Sequence, residues 1–143
     1  MKISRQFSKY VVLGVVIAVA GLAFSGVFDQ DKQGVVVDVQ VPELSVQALK
    51  GEQAFNANCA QCHGKNGSGT GDGPPLIHEI YNPGHHADQA ILLAAKRGVR
   101  QHHWPYGNMP KQPQVSNREL AAIVKYVREL QVANGITYKP HRM

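Results

Sequence analysis

The stretch Cys59-Ala60-Gln61-Cys62-His63 limits what this chain can become more than any other. Two thiols three positions apart, followed at once by an imidazole, form the C-x-x-C-H pattern of c-type haem attachment. Each thiol can add across one haem vinyl group to make a thioether, and His63 is then held beneath the ring, where a ring nitrogen can bind iron. Rival uses of the same residues fit less well. A redox-active dithiol belongs at a helix start within a βαβ unit, and no such pattern surrounds this one. A zinc site needs four ligands, and Cys59 and Cys62 followed by His78 and His85 have the wrong gaps. A simple disulfide leaves His63 without a purpose.

The other strong constraint is at the N-terminus. Residues 1–9 are basic, and Tyr10 to Phe28 is a 19-residue run without a charge. As a helix it reaches about 28 Å, enough for a bilayer's hydrocarbon core. The rival is a cleaved signal peptide, but its apolar region is shorter and ends in a small-x-small site, and Ala18-Val19-Ala20 lies inside the run. The expectation is an uncleaved single-pass anchor through residues 10–28. Lys2, Arg5 and Lys9 precede the run while Asp29 and Asp31 follow it. The positive-inside tendency therefore puts the rest of the chain on the outer, periplasmic side of a bacterial inner membrane. The net charge of +5 also loses its force here, because those three cations account for most of it. The remainder is nearly balanced and offers no surface for nucleic acid. Both cysteines lie in the motif, so no structural disulfide is implied.

Residues 29–44 read as a linker, with Val37, Val39 and Val41 alternating against Asp38 and Gln40 as in a short strand. As a random coil this segment would span about 20 to 25 Å. One domain of roughly 90 to 110 residues follows. Ser45 is a candidate N-cap for a helix to about Asn56, with Ala48, Gly51, Glu52 and Phe55 at helical spacing. Gly51 costs that helix about 1 kcal/mol against Ala, which points to close approach of another helix. The partner is the last helix, opened by the capping box Ser116-Asn117-Arg118-Glu119. It carries the stripe Leu120, Ile123, Val124, Val127 and Leu130, with Tyr126 beside it, and ends near Val132 to Asn134, with Gly135 as its C-terminal glycine. Residues 64–86 hold Gly64, Gly67, Gly69, Gly71, Gly73, Pro74, Pro75, Pro83 and Gly84, too many breakers for regular structure. A further helix is predicted from Ala87 to Arg97, with Ile91, Leu92 and Ala95 inward and Gly98 as its stop.

These pieces, in this order, resemble the class I c-type cytochromes over about Ser45 to Ala133. The resemblance rests on Gly51 and Phe55, the motif at 59–63, Gly73-Pro74-Pro75-Leu76, Asn108-Met109-Pro110 and Tyr126. It implies an all-α haem domain of three to four helices with long loops, here behind one N-terminal transmembrane helix. It also implies one covalent haem c, first and last helices crossing at Gly51 and Tyr126, the Pro74 carbonyl behind a proximal His63, and Met109 as the distal iron ligand. Leu76 is expected on the haem face. An anchored domain of this kind is similar to bacterial membrane-attached cytochromes c. The histidines between 78 and 103 depart from the generic pattern.

The residues favour Met109 independently. Met1 and Met143 are terminal, so Met109 is the only methionine inside the domain, and Gly107 and Pro110 suit a fixed loop that presents one side chain. Trp104 and Tyr106, with Arg97 and Arg100, are candidates for a haem propionate or the ring edge, and ordinary packing remains open for each. Lys65, Lys96, Arg97, Arg100 and Lys111 either ring the exposed haem edge and steer an acidic redox partner or form a plain solvated surface.

The expected function is one-electron transfer between membrane-bound respiratory complexes at the periplasmic face, without substrate turnover. The alternatives are a haem subunit of a larger periplasmic oxidoreductase, and copper handling through His85/His86 and His102/His103. Adjacent histidines fan apart by about 100° on a helix or 180° on a strand. A metal site would therefore need one ring from each pair, with His78 as a further candidate, and no stoichiometric second metal is expected.

Overall fold

The computed structural model describes residues 34–140, and their helices pack around a single apolar core. The expected anchor at 10–28 and the start of the linker lie outside the described residues. No helix among the described residues is long and apolar enough to cross a membrane.

Helix α1 (Val46–Asn58) starts where the Ser45 hydroxyl accepts from the Ala48 N–H at 3.2 Å. The same serine ties α1 to the end of the chain, because its N–H and hydroxyl both donate to the Glu129 carboxylate, at 2.9 and 2.7 Å. A break at Cys59 separates α1 from the single turn α2 (Ala60–His63). Two 3-10 turns, Lys65–Gly67 and Glu79–Tyr81, punctuate the glycine- and proline-rich loop that reads as irregular from sequence. Helix α3 (Asp88–Arg97) has its acidic residue first and Lys96 and Arg97 last, as the helix dipole favours.

Helix α4 (Asn117–Ala133) opens on a complete capping box. The Ser116 hydroxyl and N–H hold the Glu119 carboxyl below the usual carboxylate range. Leu120, Ile123, Val127 and Leu130 are all within 5% of full burial, each worth about 2 kcal/mol relative to exposure. Helices α1 and α4 cross at Gly51, where a Cβ would stand 2.0 Å from the Ala122 carbonyl oxygen. Just along the crossing, the Phe55 and Tyr126 rings meet with centroids 5.6 Å apart. The Tyr126 hydroxyl donates to Asn66 Oδ1 at 3.0 Å and so pins the loop after the haem motif to α4.

The alternating valines form no sheet strand. Among the described residues the one β interaction is an isolated antiparallel bridge between Val99 and Met109. Residues 34–44 nevertheless do not hang free as a linker. Val37 N–H donates to the Ser68 carbonyl at 2.9 Å and Val35 N–H to the Tyr106 hydroxyl at 2.7 Å. Val37, Val39 and Leu44 pack on the core. The random-coil span therefore does not apply to this part.

One buried and one half-buried polar residue on α4 go unnoticed in the sequence. Gln131, fully buried, donates to the carbonyls of Leu76 at 2.9 Å and Tyr81 at 3.2 Å. Arg128 donates to Asp88, to the carbonyls of Tyr81 and His86, and to Gln131. Buried backbone acceptors without such donors would cost about 1–3 kcal/mol each, so these side chains fasten the loop 76–88 to the helix. Gln131 sits seven residues after Val124 and four after Val127, and a polar residue in that register is the signal that could have revealed it.

Candidate functional site

The site follows from how the chain leaves α1. The break at Cys59 starts a fresh turn, in which the His63 N–H donates to the Cys59 carbonyl at 2.9 Å, so Cys59, Cys62 and His63 share one compact unit. Loop 70–76 is drawn against this turn. The Thr70 hydroxyl donates to the Cys62 carbonyl at 2.5 Å, and a Cβ on Gly73 would lie 2.8 Å from the same oxygen. That approach delivers the Pro74 carbonyl to 2.9 Å from His63 Nδ1. Burial holds the imidazole below its ordinary range, against the opposing pull of the Pro74 carbonyl. The ring is thus neutral at pH 7, with Nδ1–H donating to Pro74 and a lone pair left on Nε2.

Burial first, and then neighbouring Cys62, push the Cys59 thiol up to about 11. Disulfide-exchange catalysts need a depressed thiol, so this environment does not suit dithiol redox chemistry.

Cys59, His63, Pro74 and Leu76 open onto a cavity of about 520 Å³, a size usual for a small-molecule or cofactor site. Apolar side chains of α3 and α4, among them Ile91, Leu92, Ile123 and Val127, supply much of its wall. Met109 lines it too, on a loop with little freedom. Val99 and Met109 exchange both backbone hydrogen bonds at 3.0 Å. Gly98 has φ +76°, and a Cβ there would meet the Met109 carbonyl oxygen at 2.6 Å. Gln101 N–H donates to Asn108 Oδ1 and Gly107 N–H to Gln101 Oε1, at 2.9 and 2.8 Å, so the loop is cross-tied from within. The structure therefore brings Cys59, His63, Pro74, Leu76, Trp104 and Met109 to one cavity. Cys62 is exposed on the same turn and is not part of the lining.

Trp104 tests whether a haem suits this space. Its Nε1 is the buried side-chain polar atom without a hydrogen-bond partner among the described residues. Burial pushes the adjacent Tyr81 phenol up to about 12; the nearby Trp104 N–H acts in the opposite sense and Tyr106 adds to the rise. No acceptor stands in hydrogen-bonding geometry to that indole. A haem propionate is an acceptor of the right kind, and an apolar cavity with one thiol in its wall and a second on the same turn, a lone-pair imidazole and an orphan donor fits the group. His78 takes no place among the other histidines: its ring packs edge-on against Trp104 with centroids 5.1 Å apart. Tyr81 and Gln131 also line the cavity and were not singled out from sequence.

Known proteins agree with this geometry. A cbb3-type cytochrome c oxidase subunit CcoP from Rhodobacter capsulatus is 31% identical over 94 residues, covering 62% of this chain and 31% of the relative. The chain thus matches only about a third of that relative's length. Residues 48–131 match the family model described as Cytochrome c. That match runs from the first helix through the haem motif into the last helix and takes in more than half the chain, so the chain belongs to the cytochrome c family, with haem c as its covalently attached cofactor.

Proposed function

We propose that this chain is a one-electron carrier whose haem domain is held by residues 10–28 at the periplasmic face of a bacterial inner membrane, where it passes electrons between respiratory complexes. The observation that carries the reading is that His63 and Met109 line one cavity, each fixed by its own backbone or side-chain hydrogen bonds. With both side chains bound to its iron, the haem would have no position left open to a substrate. When bound, the haem supplies reversible one-electron chemistry, and a thioether ligand raises its potential relative to bis-histidine. The chain's residues do the rest. Cys59 and Cys62 would fix the group covalently, Pro74 orients His63, Leu76 and the apolar walls would exclude water, and Trp104 Nε1 would donate to a propionate.

Lys96, Arg97, Arg100 and Lys111 are all exposed, and Lys111 N lies beside Gly98 at the end of α3. This basic rim next to the Met109 loop supports docking of an acidic redox partner. The name of the Rhodobacter capsulatus relative favours a second reading, a permanent haem subunit of a membrane oxidase.

The ligand assignment is tested by replacing Met109. Met109→His keeps a low-spin spectrum but lowers the midpoint potential, and Met109→Ala opens the iron to added imidazole. Unchanged spectra and potential in both variants would remove Met109 from the site. Fractionation of native cells separates the remaining readings. A carrier is found in the membrane pellet with an intact N-terminus and elutes alone in mild detergent, whereas a subunit elutes with an oxidase at fixed stoichiometry. An N-terminus beginning near Gly21 or later would replace the anchor with a cleaved signal.

A further inference from the structure

Four histidines outside the haem ligand set, at 85, 86, 102 and 103, gather on one side of the cavity mouth. Neighbouring rings diverge on a helix or a strand, but His85 and His86 lie in neither. Both N–H groups instead donate to the Asn82 carbonyl, at 3.0 and 2.9 Å. Buried Asn82 is itself fixed, through Oδ1 to the N–H groups of Gly84 and Lys139 and through Nδ2 to the Glu79 carbonyl. This tight bend turns the two rings toward each other, with centroids 4.6 Å apart, and the His103 ring stands 5.3 and 5.2 Å from them.

The nitrogens converge as well. One ring nitrogen from each of His85, His86 and His103 lies within 4.8 Å of the others. His85 Nε2 and His103 Nε2 are 3.4 Å apart. Two nitrogens bound at 2.0–2.1 Å to one tetrahedral metal are about 3.3 Å apart, so this edge already has the needed length. His86 is oriented as metal-binding histidines are: Nδ1–H donates to the Ile80 carbonyl at 2.7 Å, which leaves Nε2 as the basic nitrogen. Burial, with the neighbouring imidazoles adding to it, holds His86 and His103 below the ordinary imidazole range, while the Ile80 carbonyl opposes this at His86. Neutral rings keep their lone pairs for a cation.

We propose that His85, His86 and His103 form a three-histidine site for a late first-row divalent cation, Zn²⁺ or Cu²⁺, with the fourth position open to water. Imidazole suits both ions, and copper binds the more tightly of the two in a site of this type. The site uses both rings of one pair and one of the other, and it leaves His78 out. It stands independently of the carrier reading, since neither Met109 nor a redox partner enters it.

The test uses the full-length holoprotein in detergent, stripped with chelator and loaded separately with Zn²⁺ and Cu²⁺. One equivalent of zinc per haem is retained through gel filtration, and the Cu²⁺ form shows hyperfine coupling to imidazole nitrogens. His86 and His103 also line the haem cavity but His85 does not, so His85→Ala is the variant that leaves haem loading intact. It weakens zinc binding by about 100-fold with the haem spectrum unchanged, and His103→Ala weakens zinc binding to a similar extent. His141→Ala, in the C-terminal tail, binds as the parent does. Retention of less than a tenth of an equivalent by the parent overturns the site, as does equal retention by parent, His85→Ala and His103→Ala.

Discussion

Replacing Cys59 and Cys62 together by serine yields a colourless polypeptide with the mass of the bare chain and no cooperative unfolding transition. A cavity of about 520 Å³ opens beside the motif. Without the haem, the apolar side chains that line it lose their partner, at about 25 cal/mol for each Å² left unburied. Whole domains are stable by only about 5–15 kcal/mol. The walls must then collapse, and loop 98–110 and α3 lose what they pack against. Either single substitution leaves one thioether and a low yield of coloured protein. Mass spectrometry and acid-acetone extraction decide the matter: pigment that stays with the double variant, or a parent protein of bare-chain mass, would refute covalent attachment through these thiols.

The second large effect is Gly51→Ala. On propensity alone the change should help, by about 1 kcal/mol in a helix interior. Packing reverses the sign. The new methyl would stand 2.0 Å from the Ala122 carbonyl oxygen, 2.5 Å from its carbon and 2.9 Å from Tyr126 Cβ. Helix backbone cannot rotate out of the way as a long side chain can. The axes of α1 and α4 must separate, loosening Phe55 against Tyr126 and lengthening the Ser45–Glu129 bonds. Overpacking typically costs 1–3 kcal/mol and at times more, and a backbone collision belongs at the upper end, so a net loss of about 3 kcal/mol is expected. Denaturant unfolding of the holoprotein measures it. A midpoint equal to or above that of the parent would mean that the helices do not cross here.

The elements legible in the sequence are those whose information is local. A capping box followed by apolar residues three and four apart names α4 without reference to anything else, and Ser45 and Gly98 mark helix ends in the same way. The haem motif is likewise contained in five residues. What escaped was set by partners distant in sequence. Arg128 looks like a solvated helix residue until the carbonyls of Tyr81 and His86 are brought to it. Residues 34–44 alternate like a strand, yet their hydrogen bonds go to Ser68, Tyr106 and Asn134, which no pairing rule anticipates. The proximity of the His85 and His86 rings escaped for a related reason: rules for ring divergence describe regular backbone, and the bend at Asn82 is not regular.

The crossing of α1 with α4 also orders events in time. Gly51 and Ala122 touch across 71 residues of chain, and closing a loop of that length costs about 4 kcal/mol in entropy before any contact forms. A chain made from its N-terminus presents Cys59, Cys62 and His63 well before α4 has emerged to complete the crossing. During that interval the thiols sit on an open segment, accessible to whatever delivers the haem and equally accessible to oxidants. The helix that will later bury Phe55 against Tyr126 arrives last, so the thiols of the motif meet their surroundings before the chain has a fold to protect them.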